Sequence, residues 1–374
     1  MPRTSNRSSR GGKRSAVSRS QGKPQEPVLQ GWKAVVHEYV TLFNQAEIDR
    51  FPPVFTGLVK DGDHLSRCSQ RLYRMKEQEL LRGVLPTNSQ TKAELLRVSE
   101  SSSGTEIVAT IGLHIKRTMD QSGRTYMEER CERERIWLNA EDGRYYIARI
   151  EPVVSERRPR FNASDLNSFP LHLSEEEAGD YRTGTPSIPY INYDILPVFN
   201  HQRAGARYRR DLAAAYADRW WEEPNPAYET FDVNCTNYVS QCLFAGHAPM
   251  NYTSRRDLGW WYRGRSGGRE QWSYSWAVSN ALQVYLSGAR QKGLKATIVH
   301  SPEELELGDV ITYDWGGDNR FQHSTIVTAF DAQGMPLVNA NTVASRHRYW
   351  DYQDSYAWTE ATKYRFFHIA DEFL

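Results

Sequence analysis

The stretch "VNCTNYVSQCLFAG", residues 233–246, sets a cysteine where a loop turns into an amphipathic helix. With Cys235 as the first helical residue, Val239, Cys242 and Leu243 fall on one face and Tyr238 beside them, at a 3.6-residue period. Gly246 closes the helix and Asn234 is a good N-cap residue, with Thr236 and Asn237 in the first turn. A thiol at that end faces unpaired backbone N–H groups and the positive end of the helix dipole. Both favour the thiolate, which is the reactive form. The alternative is a small buried apolar side chain, the role expected of Cys242 on the apolar face.

A cysteine nucleophile needs a base, and the base needs a group to hold it. Downstream of 246 the helical stretch "YSWAVSNALQVYLSG" (274–288) gives way to strand-like runs: "GDVITYDW", "FQHSTIVTAF", "MPLVNANT" and "KYRFFHIAD". His323 stands near the start of the second run, after the Gly-rich turn "DWGGDN". Asn339 and Asn341 alternate in the third, so period-two geometry puts both on one face of the sheet. Either could accept the imidazole N–H. A cysteine on a helix, followed by His and Asn on adjacent strands, is the order of a papain-type site. "GWWYRG" and "QWSYSW" place Trp260, Trp261, Trp272 and Trp276 among Gly, Arg and Ser. Amphipathic rings in such polar stretches are expected to wall a substrate groove.

Upstream, "ARYRRDLAAAYADRWWE" (206–222) is strongly helical. Helices followed by an antiparallel sheet make residues 204–374 an α+β unit. Residues 155–203, rich in Pro, Ser, Asp and Glu, are expected as a linker. Before them, 27–154 holds two amphipathic helices (29–48 and 68–83) and four strands joined by "SSSG", "DQSG" and "EDG", a smaller α+β accessory unit. His114 and Cys131 lie in those strands, where a packed side chain is expected. Residues 1–24 carry seven basic and no acidic side chains, which leaves a balance of −6 on the rest of a chain whose net charge is +1. The arm, 1–26, is expected to be a disordered basic tail able to tether an anionic polymer. No apolar run approaches the roughly 20 residues of a membrane span, and residues 1–24 lack the apolar segment of a secretory signal. The four cysteines are too few for a disulfide framework, so a cytoplasmic, reducing location is expected.

Taken together, "AAAYADRWWEEPNPAYETFDVNCTNYVSQCLFAGHAPM", "GWWY", "WSYSW", "LELGDVITYDWGGDNRFQHSTIVT" and "MPLVNANT…HRYW" resemble the bacterial putative amidase domain family across roughly 204–371. That family is similar to the papain-like cysteine peptidases and to the CHAP and NlpC-type cell-wall hydrolases. The resemblance implies a papain-like fold and hydrolysis of an amide bond through a thioester. Cys235 is then the nucleophile, His323 the general base and acid, and Asn341 the third polar residue. Family members commonly carry Asp before the cysteine and "HT" at 341–342, where this chain has Asn234 and "NT". The backbone N–H of Cys235, with Asn234 or Tyr228 in support, is the candidate oxyanion hole. Peptide stems of peptidoglycan are the implied substrate, and no cofactor is expected. Cys235, Cys242 and His247 on one helix do not have zinc spacing, so no metal is expected there. The rival expectation is a catalytically inactive cell-wall or spore-coat binding protein that keeps the fold.

Overall fold

A computed structural model describes residues 31–53, 55, 57–101, 106–157, 207–266 and 269–373. The basic arm and almost all of the stretch expected as a linker lie outside them. Helix α1 (Trp32–Asp49) buries Val36, Tyr39, Val40, Phe43 and Ala46, an i, i+3, i+4, i+7 stripe. Helix α2 (Gly62–Leu81) starts earlier than its apolar period suggests, because the Asp61 side chain accepts the His64 N–H at 2.9 Å and caps it. Four antiparallel strands follow: β1 (Val84–Glu100), β2 (Glu106–Gln121), β3 (Arg124–Glu141) and β4 (Arg144–Pro152). Ser122–Gly123 and Asp142–Gly143 all have positive φ, the two-residue geometry that matches strand twist. Alternate residues of β2, from Ile107 to Ile115, pack with Ile136, Leu138, Ile147 and Ile150 against α1.

The second half of the chain adds helices α3 (Arg210–Trp220), α4 (Cys235–Ala245), α5 (Tyr274–Ala277) and α6 (Ser279–Ser287), and a small hairpin of β5 (Tyr262–Ser266) and β6 (Arg269–Trp272). Strands β7 (Ala296–Val299), β8 (Val310–Asp314), β9 (His323–Phe330), β10 (Pro336–Ala340), β11 (Ser345–Tyr349) and β12 (Lys363–Ile369) complete it. The fold is mixed α+β. The two sheets read from the sequence are one: the order β1-β2-β3-β11-β10-β9-β8-β12-β7, with β4 also on β3, makes a single ten-stranded antiparallel sheet. The length of β3 allows this. Glu134–Glu141 pair with β4, whereas Glu129 and Arg130 pair with β11, and the Cys131 N–H reaches Ala344 O at 2.7 Å.

One face of the second-half strands packs on α3–α6 through Val239, Leu243, Ile326 and Phe367. The other carries an aromatic cluster of Tyr313, Trp315, Tyr352 and Phe366 with Val327. The "GDVI" segment is structural: Gly308 has φ 81°, and a Cβ there would lie 2.8 Å from the Tyr208 hydroxyl. Asp309 accepts from Arg210 at 2.7 Å and from the Ile369 N–H at 2.9 Å.

A buried ionic layer ties the two halves together. Glu47 lies 2.6 Å from Arg130 and 3.6 Å from Arg71. Arg71 also pairs with Glu132 at 2.8 Å and donates to the Asp354 carbonyl at 2.6 Å. Arg348 bridges Asp354 (2.9 Å) and Glu156 (3.3 Å). Burial pushes the Glu47 carboxyl up, but Arg130, Arg71 and Arg117 outweigh it and hold the group at about 2. No helix among the described residues is long and apolar enough to cross a membrane.

Candidate active site

Helix α4 begins at Cys235, but its cap comes from elsewhere. The Asn234 side chain makes no capping bond. Instead Thr342, in the turn between β10 and β11, accepts the N–H of Asn234 at 2.8 Å and of Cys235 at 2.9 Å through one hydroxyl oxygen. That leaves Asn234 free to link others. Its Nδ2 donates to Asn341 Oδ1 at 2.6 Å, and its Oδ1 accepts from Asn237 at 2.9 Å. Asn341 in turn donates to the carbonyls of Trp220 and Trp221 at 3.2 and 2.7 Å. A chain of amides thus locks the end of α3, the start of α4 and the end of β10.

The sulfur of Cys235 is 1% exposed, with Thr236 Oγ1 at 3.8 Å and the Ser324 amide against it. Burial pushes the thiol up, and the hydrogen bonds from Ser324, Thr236 and Thr342 only partly oppose it. Burial therefore works against the thiolate that the helix end was expected to favour.

His323 opens β9 and is fully buried. Its neighbour Ser324 turns toward the helices, with its hydroxyl 3.2 Å from Thr236 and 2.8 Å from Ser279. Strand alternation sends the His323 ring the other way. It packs against Tyr313, Trp315 and Tyr352, with centroids 5.5, 5.8 and 5.3 Å away. Neither ring nitrogen has a hydrogen-bond partner among the described residues, so no bond joins it to Cys235. Burial, helped by Arg348, lowers its pKa to about 3, which fixes the imidazole as neutral.

Neither asparagine orients that ring. Asn341 is occupied as described. Asn339 accepts from Thr328 and the His347 N–H, both at 2.8 Å, and donates to Asp218 at 2.9 Å. The other supports are also placed differently from expectation. The Cys235 N–H already serves Thr342, and Tyr228 is buried against Trp276 and Tyr262. Trp260, Trp261, Trp272 and Trp276 are core rather than groove wall, at 0, 2, 6 and 0% exposure. Their polar surroundings satisfy the indoles: Ser240, the Leu258 carbonyl, Glu229 and Asn237 each accept one N–H. Asp314 is a turn residue, accepting the amides of Gly316, Gly317 and Asn319.

The open space lies one residue from the sulfur. A cavity of about 550 Å³ runs between the halves, lined by Asn234, Asn341 and Thr342 on one side and His114, Cys131 and Arg133 on the other. Thr342 and Val343 form part of its wall, and Val343 has φ 49°, a strained conformation for a β-branched residue. Sequence reading missed Thr342 and Ser324 as neighbours of the sulfur. The only signal for Thr342 was its place beside Asn341.

The putative amidase domain family matches residues 207–367. The Bacillus subtilis protein named Uncharacterized protein YhbB is 51% identical over 256 residues, covering 68% of this chain and 77% of that protein. Uncharacterized protein YjcM of Bacillus subtilis is 28% identical over 130 residues, 33% of this chain and 28% of its own length. Among solved structures, the intermembrane space region of chloroplast protein ARC6 covers 34% of this chain and 98% of its own, at 14% identity and a TM-score of 0.24. Half the residues are shared across more than three quarters of YhbB, and residues 207–367 carry the domain's ordered motifs. The chain therefore belongs to the YhbB family and contains a putative amidase domain, which supports an amidase-type hydrolase.

Proposed function

We propose that the chain cleaves an amide bond by cysteine chemistry within a papain-like arrangement, with Cys235 as nucleophile and His323 as base. The observation that carries this reading is the His323 ring, buried with two nitrogens that have no partner among the described residues, one position from Ser324, whose backbone hydrogen-bonds Cys235. A buried polar group without partners costs about 1–3 kcal/mol, which a purely structural side chain has no reason to impose. Burial disfavours charge on both groups, so the proton moves as the sulfur attacks, as in a serine hydrolase. His323 takes the Cys235 proton as sulfur bonds to the carbonyl carbon. The imidazolium then protonates the departing amine as the C–N bond breaks, and water activated by the same ring hydrolyses the thioester. Asn341 acts by holding Asn234 and the start of α4.

Turnover on this reading requires the 341–344 turn to lift from Cys235 and the backbone at the start of β9 to rearrange, so that the His323 ring reaches the face of the sheet that carries the sulfur. The strain at Val343 lowers the cost of the first movement. Peptide stems of a cell-wall polymer are the proposed substrate. The test is release of new amines from purified peptidoglycan fragments by the full chain and by Cys235→Ala. Loss of release in the variant is expected, and equal rates would overturn the nucleophile. The sealed sulfur favours a second reading, a wall-binding protein without turnover. Saturable binding of the fragments with no amine release by either protein would establish it.

A further inference from the structure

A second group of reactive side chains lies in the cavity and takes no part in the proposed hydrolysis. His114 and Cys131 are directly paired across β2 and β3, so both side chains leave the same face of the sheet. Glu222, just after α3, reaches them from the other half of the chain. One ligand atom from each, an imidazole nitrogen, the sulfur and a carboxylate oxygen, lie within 4.8 Å of one another, and all three residues line the cavity.

We propose that His114, Cys131 and Glu222 bind a zinc-class divalent cation, with a fourth position open to the cavity. The donor set is the first argument: imidazole, thiolate and carboxylate together suit zinc, and three protein ligands with one open position are its catalytic pattern. The arrangement of His114 is the second. Its Nε2 lies 3.1 Å from Glu129 Oε2, and Glu129 is fixed by Lys116 at 2.9 Å and Arg346 at 3.6 Å. The ring also stands edge-on to Trp221, 5.7 Å between centroids. An outer carboxylate on one ring nitrogen is how metal-binding histidines are oriented, and it turns Nδ1 to the cavity. There Nδ1 faces Glu222 Oε1 at 3.5 Å, which is long for a hydrogen bond.

Charge is the third argument. Glu129 and Glu222 stand against His114, and Glu132 lines the same cavity, with Arg133 a cation on that wall. The same carboxylates attract a dication. No lysine or arginine pairs with Glu222 among the described residues. Binding expels the Cys131 proton to solvent, and thiolate plus carboxylate then balance the two positive charges.

The experiment uses the full chain, stripped with EDTA and titrated with Co²⁺ and then Zn²⁺. One equivalent of Co²⁺ is expected to give intense visible bands and a near-ultraviolet thiolate charge-transfer band, both lost on adding Zn²⁺. Cys131→Ser should remove the charge-transfer band. Glu129→Gln should weaken binding about 10–100-fold, as outer-shell losses do. Glu222→Gln keeps the fold intact, since that side chain is 52% exposed and outside the strands, and it should weaken binding at least as much. Absence of saturable binding, a charge-transfer band that survives in Cys131→Ser, or unchanged affinity in Glu222→Gln would each overturn the site.

Discussion

Replacing His323 by Phe should separate function from stability. At pH 7 the wild-type ring is neutral both folded and unfolded, so its cost is that of two buried nitrogens without partners, about 1–3 kcal/mol. Phenylalanine keeps a ring among Tyr313, Trp315 and Tyr352 and removes those nitrogens, while its extra bulk costs about 1 kcal/mol. The variant is therefore expected to match or exceed wild type by about 1 kcal/mol at pH 7. Acid should widen the gap. The folded pKa, about 3, lies below the ordinary 6.5, so between those values the unfolded chain binds the extra proton. Wild-type stability from this group is complete above 6.5 and falls as pH drops toward 3. At pH 5 the loss is about 2 kcal/mol, at 1.36 kcal/mol per pH unit, and the variant does not share it. Urea unfolding followed by tryptophan fluorescence at pH 7 and pH 5 measures both values, alongside amine release. A variant less stable by more than about 3 kcal/mol, or a gap that does not widen at pH 5, would show that the ring is hydrogen-bonded and structural.

Two further changes probe the supports. Thr342→Val leaves the buried N–H groups of Asn234 and Cys235 without their acceptor, which should cost about 2–4 kcal/mol. It should also speed iodoacetamide labelling of Cys235; an unchanged rate would mean that the turn does not hold the helix end. Glu47→Gln strips the carboxylate from Arg130, Arg71 and Arg117 and should destabilise by about 3–5 kcal/mol at pH 7. Because Glu47 is held at about 2, below its ordinary 4.5, that penalty should be full above 4.5 and shrink as pH falls toward 2. A pH-independent penalty, read from paired denaturation curves, would contradict the ion-pair account.

Local chemistry made the helix at Cys235, the hairpin turns and the apolar stripe of α1 legible in the sequence. Each depends on residues a few positions apart. The pairing of β3 with β11 depends on partners more than 200 positions apart, and strand periodicity does not choose partners. The tryptophan stretches misled for a related reason. The Gly, Arg and Ser around the rings looked solvent-facing, whereas the rings are core and residues distant in sequence, such as Ser240 and Asn237, accept their indole N–H groups. Cys235 was expected to favour a thiolate because of its helix end, whereas Ser324 and Thr342, distant in sequence, help to enclose it. His114 and Cys131 looked like packing because Glu222, the third member of their group, comes from beyond the intervening segment.

The seam between β3 and β11 also bears on how this protein could be divided. Cutting at the family boundary, residues 207–367, would strip β11 of its neighbour, end the chain inside β12, and leave Arg348 without Glu156. Such a fragment presents a raw strand edge and a cation that keeps Asp354 but loses its second carboxylate, conditions that favour sticking to other copies of itself. The domain match marks out residues 207–367, but the sheet and the buried ionic layer run past its N-terminal boundary.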